Sequence, residues 1–152
     1  MVASTAHEAI QSIRIEKEIE IAAPLDIAFE CLLEEMGPAN EIPGGQPMPM
    51  VLEPWPGGRW FRDLGNNTGH LWGHVQVIKP PTLIEVSGPL FMSYACSNHI
   101  QYRLTAEGLG TKLKFIHRGF GEITPEHREG VVMGWSYKLD RIRQLAENKR
   151  KS

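Results

Sequence analysis

The chain has 152 residues, 41% of them apolar, with a formal charge of −2. That length suits one domain able to bury roughly two-thirds of its unfolded surface. The balanced charge argues against nucleic acid as a partner, and no run of about 18 apolar residues offers a membrane span. Cys31 and Cys96 are too few for a disulfide framework or a zinc site, so a cytoplasmic, reduced protein is expected.

Residues 1–11 carry no strong pattern and read as a mobile leader, followed by one domain over 12–148 and a basic tail at 149–152. Ile13, Ile15, Ile19 and Ile21 alternate with Arg14, Glu16, Glu18 and Glu20, which is the pattern of a half-buried strand. Lys17 falls on the apolar face, as a snorkelling stem at a sheet edge or a polar group facing a pocket. Ala22-Ala-Pro24 ends the strand and opens a helix. Its apolar stripe is Leu25, Ala28, Phe29, Leu32, Leu33 and Met36, and Gly37-Pro38 stops it.

From Gly37 to Gly58 there are six prolines and five glycines in 22 residues. That density predicts a looped excursion, and its Met48, Met50, Val51, Leu52 and Trp55 must fold over something. Either they pack onto the core or they line the mouth of a cavity. Met48 to Trp55 is also a candidate surface for a homodimer.

Short strands follow at Arg59 to Asp63, His70 to Lys79 and Leu83 to Ser87, with Leu90 to Ser93 readable as strand or loop. Cys96 to Thr105 and Thr111 to Gly119 form a hairpin across Glu107-Gly-Leu-Gly110. A long helix then opens at Thr124-Pro125-Glu126 and runs to about Asn148, roughly 35 Å. Val131, Val132, Trp135, Leu139, Ile142, Leu145 and Ala146 share one arc of it, with Trp135 near the centre. Gly130 and Gly134 each cost about 1 kcal/mol of helix propensity. The order of elements is that of an α+β domain with a mostly antiparallel sheet.

Several short motifs in order resemble one superfamily. They are Ile21-Ala-Ala-Pro24, Gly57-Gly-Arg-Trp60, Trp72-Gly-His-Val75 leading to Pro80-Pro81, and Leu104-Thr-Ala-Glu-Gly-Leu-Gly-Thr-Lys-Leu113. His117-Arg-Gly-Phe120, Gly134-Trp135 and Leu139-Asp-Arg-Ile142 complete the set. Over about Ile13 to Ala146 the chain resembles the SRPBCC superfamily, also called START or Bet-v-1-like. Within it, the likeness is to proteins named for the C-terminal domain of the activator of heat-shock protein 90 ATPase. The resemblance implies a helix-grip fold: a curved antiparallel sheet of about six to seven strands around the long helix, with an apolar cavity between them. It also implies binding of a small apolar or amphipathic molecule, without a cofactor. A cyclase, dehydratase or hydrolase type of enzyme is the alternative. A chaperone-associated interaction module is a third reading, disfavoured because the chain lacks the domain that precedes this one in the namesake co-chaperone.

Six histidines invite a metal reading. In a strand, however, His70 and His74 stand roughly 13 Å apart, too far for one ion, so no metal is expected. His117 shares a face with Leu113 and Phe115. It is expected to point inward near Tyr102, as a satisfied core histidine, a ligand anchor or, in an enzyme, the acid–base. The expected ligand-binding set is Trp60, Trp72, Phe91, Ile100, Tyr102, Phe115, His117 and Trp135, with Arg62, His74, Asn98 and His117 as polar handles. The mixed parity of Val75, Val77 and Ile78 means that a bulge would reverse the facing of Trp72 and His74. Neither cysteine has the surroundings of an activated nucleophile.

Overall fold

The computed structural model describes residues 5–6 and 9–152. Of the leader expected at 1–11, residues 1–4 and 7–8 lie outside the described residues. β1 (Gln11–Ile21) already begins at the end of that stretch. It leads into α1 (Leu25–Met36) with Pro24 as the N-cap, just ahead of the first turn.

Five short to medium strands follow: β2 (Val51–Leu52), β3 (Arg59–Gly65), β4 (Thr68–Lys79), β5 (Leu83–Gly88) and β6 (Cys96–Glu107). β7 (Gly110–Gly121) and α2 (Pro125–Arg150) complete the chain. The seven strands form one antiparallel sheet in the order β1-β7-β6-β5-β4-β3-β2. This is the helix-grip architecture: a curved sheet holding a long helix, with α1 beside it. Leu90 to Ser93 forms a turn between β5 and β6 and does not become a strand.

Strand alternation decides which side chains meet the helices. Ile13, Ile15 and Ile21 of β1, Ile100, Tyr102 and Leu104 of β6, and Leu113, Phe115 and His117 of β7 are all buried on the concave face. On α2 the buried residues are Val131, Trp135, Lys138, Leu139, Ile142 and Ala146. The apolar arc read from the sequence is thus the buried one, with an unexpected lysine inside it. Thr124 caps the helix, its hydroxyl accepting from the His127 amide at 3.2 Å, and Pro125 opens the first turn.

β4 departs from simple alternation at two points. Opposite β3 it carries Trp72 as an extra residue, and opposite β5 it carries Gln76 as another. The first of these bulges turns both Trp72 and Val75 into the core, although they are three residues apart, and leaves His74 exposed. Gly73 sits between them because β5 lies so close. A methyl built on it would stand 2.5 Å from the Ser87 carbonyl oxygen.

Candidate ligand-binding site

Beneath the first half of α2 the core does not close. A cavity of about 610 Å³ lies between that half-helix, the concave side of β3 and β4, and the 37–58 excursion. Its floor is Trp72, Phe91 and Trp135, and its helix wall is Gly130, Val131, Gly134 and Lys138. Ile42, Pro43 and Met48 of the excursion form the opposite lip. The volume falls within the usual range for small-molecule sites, and the walls are mainly apolar with a few polar groups at the edge. Other concavities of similar size lie on the outside of the sheet among Arg14, His99 and Arg118, or along polar strand ends, and lack such a floor.

The floor belongs to a continuous run of rings. Trp60 meets Trp72 at 4.9 Å between centroids, Trp72 meets Phe91 at 5.6 Å, and Phe91 meets Trp135 at 5.9 Å, all edge-on. Trp135 then meets Phe115 at 4.5 Å, and Phe115 meets Tyr102 at 4.9 Å. Edge-to-face contacts of this kind fix ring orientation as well as adding burial. Trp60 is anchored further by its indole N–H, which donates to the Met36 carbonyl at 2.6 Å.

The excursion is held in place by three residues of α2. Lys138 Nζ donates to Asn40 Oδ1 and to Glu35 Oε1, the latter at 3.4 Å. The Tyr137 hydroxyl donates to Glu41 at 2.7 Å, and Arg141 pairs with the same carboxylate at 3.1 Å. Asn40 in turn donates to the Met48 carbonyl at 2.8 Å. Glu35 is almost wholly buried, and that burial pushes its carboxyl pKa up against the opposing pull of Lys138. Lys138 also stands 5.6 Å from the centre of the Trp72 ring. Its head therefore ties together α1, the excursion and the cavity wall.

His117 is completely buried and has a partner on each ring nitrogen. The Trp135 indole N–H donates to Nδ1 at 3.0 Å, and Nε2 donates to Asn98 Oδ1 at 2.7 Å. An indole can only donate, so Nδ1 is unprotonated and the proton sits on Nε2. Burial lowers the pKa to about 4, so the ring is neutral near neutral pH. The partners are Trp135 and Asn98, not the expected Tyr102. Tyr102 lies opposite Phe115, and its hydroxyl has no hydrogen-bond partner among the described residues. Gly119 faces Asn98 across the β6–β7 ladder, where a methyl group would collide with Asn98 Oδ1.

Of the eight residues expected to line a ligand site, the cavity brings together Trp72, Phe91 and Trp135. Trp60, Ile100, Tyr102, Phe115 and His117 lie behind that floor in filled core. Among the expected handles, Arg62 reaches the cavity edge, His74 is exposed, and Asn98 and His117 bond each other. Sequence reasoning missed Lys138, His70 and His127 as lining residues. Lys138 had left a signal, a charge between Trp135 and Ile142 on the apolar arc. Among the described residues, no three His, Cys, Asp or Glu side chains gather as a metal would require. Both cysteines are free, and burial pushes their thiol pKa values up.

The family described as activator of Hsp90 ATPase homolog 1-like protein matches residues 46–147. The chain belongs to this family. Proteins with this SRPBCC-type fold generally bind hydrophobic ligands. Similar solved structures include an uncharacterised protein from Rhizobium leguminosarum, 17% identical with a TM-score of 0.71, covering 92% of this chain and 97% of that one. A protein of unknown function from Staphylococcus aureus is 14% identical with a TM-score of 0.68, covering 94% and 98%. The di-domain ARO/CYC StfQ from the steffimycin biosynthetic pathway is 15% identical with a TM-score of 0.61, covering 92% of this chain and 51% of that one. At these identities the likeness is one of fold. No curated protein matches the sequence. Among the described residues, no helix is long and apolar enough to cross a membrane.

Proposed function

We propose that this family member binds a small hydrophobic or amphipathic molecule in the cavity beneath the first half of α2. The observation that carries the reading is the helix wall. Gly130 and Gly134 face open space, where an added Cβ would meet nothing within 4 Å. Each glycine costs helix propensity, about 1 kcal/mol, and no packing within the protein asks for it. An occupant that must approach the helix backbone gives both a reason. Affinity would come chiefly from buried apolar area, about 25 cal/mol per Å² before association costs.

The test is a titration with phenylnaphthylamine, a neutral apolar fluorophore, alongside native mass spectrometry of the purified protein. Wild type is expected to bind one equivalent. Gly134→Leu fills the space from the helix side and should weaken binding at least about tenfold, the loss of roughly 1.4 kcal/mol. Unchanged affinity in that variant would sink the proposal.

The enzyme alternative built on His117 finds little support, because that ring has no free nitrogen and is neutral at ordinary pH. A module acting through its surface would give no reason for a glycine-walled space. Two cysteines that form no disulfide suit a reducing, cytoplasmic setting.

A further inference from the structure

Resting on the ligand-binding reading, we infer that the guest is an organic anion, its apolar body on the Trp72–Phe91–Trp135 floor and its charged head at Arg62 and His70. These two residues are direct partners across the β3–β4 ladder, and both line the cavity. They lie on the same side of the sheet as the buried Trp60 and Trp72, two positions along each strand. A guanidinium and an imidazole N–H side by side form a donor pair suited to a carboxylate or sulfonate.

The balance of charge around the cavity points the same way. Neither Arg62 nor His70 takes part in an ion pair among the described residues. The other ionisable groups of the lining are already engaged. Lys138 is met by Glu35, and the His127 ring is bonded to the Tyr94 hydroxyl. Glu41, the one carboxylate among the lining residues, is held by Arg141 and Tyr137. Arg62 is therefore the cation left without a counter-charge, at the end of an apolar trough. A neutral guest would leave that charge unanswered, whereas an anionic guest would complete it.

Two probes that share one aromatic frame separate this inference from the reading beneath it. Anilinonaphthalene sulfonate carries an anionic head, and phenylnaphthylamine lacks it. Both are titrated into wild type, Arg62→Gln and His70→Gln at low and high salt. Wild type is expected to favour the sulfonate, and Arg62→Gln should weaken it about tenfold, as for loss of a charge-assisted hydrogen bond. His70→Gln should cost roughly threefold on the same grounds. Added salt should weaken only the sulfonate, because only it relies on unscreened charge. Phenylnaphthylamine binding should weaken far less than sulfonate binding in both variants, and far-UV circular dichroism reports that they are folded. If Arg62→Gln lowers both probes equally, or neither, the anionic head is refuted and the apolar site stands. If wild type binds neither probe, the ligand-binding reading itself falls.

Discussion

From Leu139 onward α2 is sealed against α1 and the sheet, with Ile142 and Ala146 fully buried. Nearer its N-terminus, the same helix presents Gly130 and Gly134 to open space, and Met133 is 73% exposed. Both halves belong to one unbroken helix. The contrast teaches that the grip is uneven: the C-terminal half is packed along its whole inner face, and the N-terminal half buries Val131 and Trp135 but leaves a cavity beside them. Trp135 marks the boundary, its indole bonded to His117 below and its ring forming part of the cavity floor.

The largest blow to this division should come from Trp135→Ala. It removes a ring from both regions, and urea unfolding should register a loss of about 4 kcal/mol, as for other buried large-to-small changes. Met133→Ala, on the open half, should stay within about 0.5 kcal/mol.

Lys138→Met comes next. It strands the buried Glu35 carboxyl without its partner and should cost about 3 kcal/mol, whereas the double variant Glu35→Leu/Lys138→Met should recover most of that loss. A double variant as unstable as the single one would show that the pair is not the source of the effect.

The sealed side should also be the acid-sensitive side. The folded His117 pKa of about 4 lies below the unfolded value of 6.5, so the unfolded chain binds the extra proton between those limits. Stability should therefore fall as pH drops through that window, by about 2 kcal/mol between pH 7 and pH 5. In His117→Gln this component of the slope should vanish, as read from denaturation at each pH.

One expected effect on the open half has the opposite sign. Gly134→Ala should stabilise the protein by about 1 kcal/mol in thermal unfolding, because nothing obstructs the new methyl and the helix gains propensity. Destabilisation would mean that the glycine serves the fold and not the cavity.

The fold was legible because its signals are local. The isoleucine alternation of β1, the β6–β7 hairpin and the apolar arc of α2 each declare a period within a dozen residues or so. The site was less legible because its parts meet through distant contacts and broken periods. The bulge at Trp72 in β4 decides that Trp72 faces inward and His74 outward, and it cannot be placed from residue parity alone. Lys138 and Glu35 are buried by pairing with each other across 103 positions of chain. His117 was correctly placed inside. Its partners were not, because Asn98 reaches it along a diagonal that only the glycine at 119 leaves clear.

The position of β1 in the sheet has a consequence for synthesis. The first strand finds its neighbour only in β7, whose last residue is Gly121. A nascent chain on the ribosome therefore carries an unpaired, isoleucine-lined ribbon until Thr111 and the residues after it have been made. Completion of this edge of the sheet is a long-range event, and the helix that packs on it must follow.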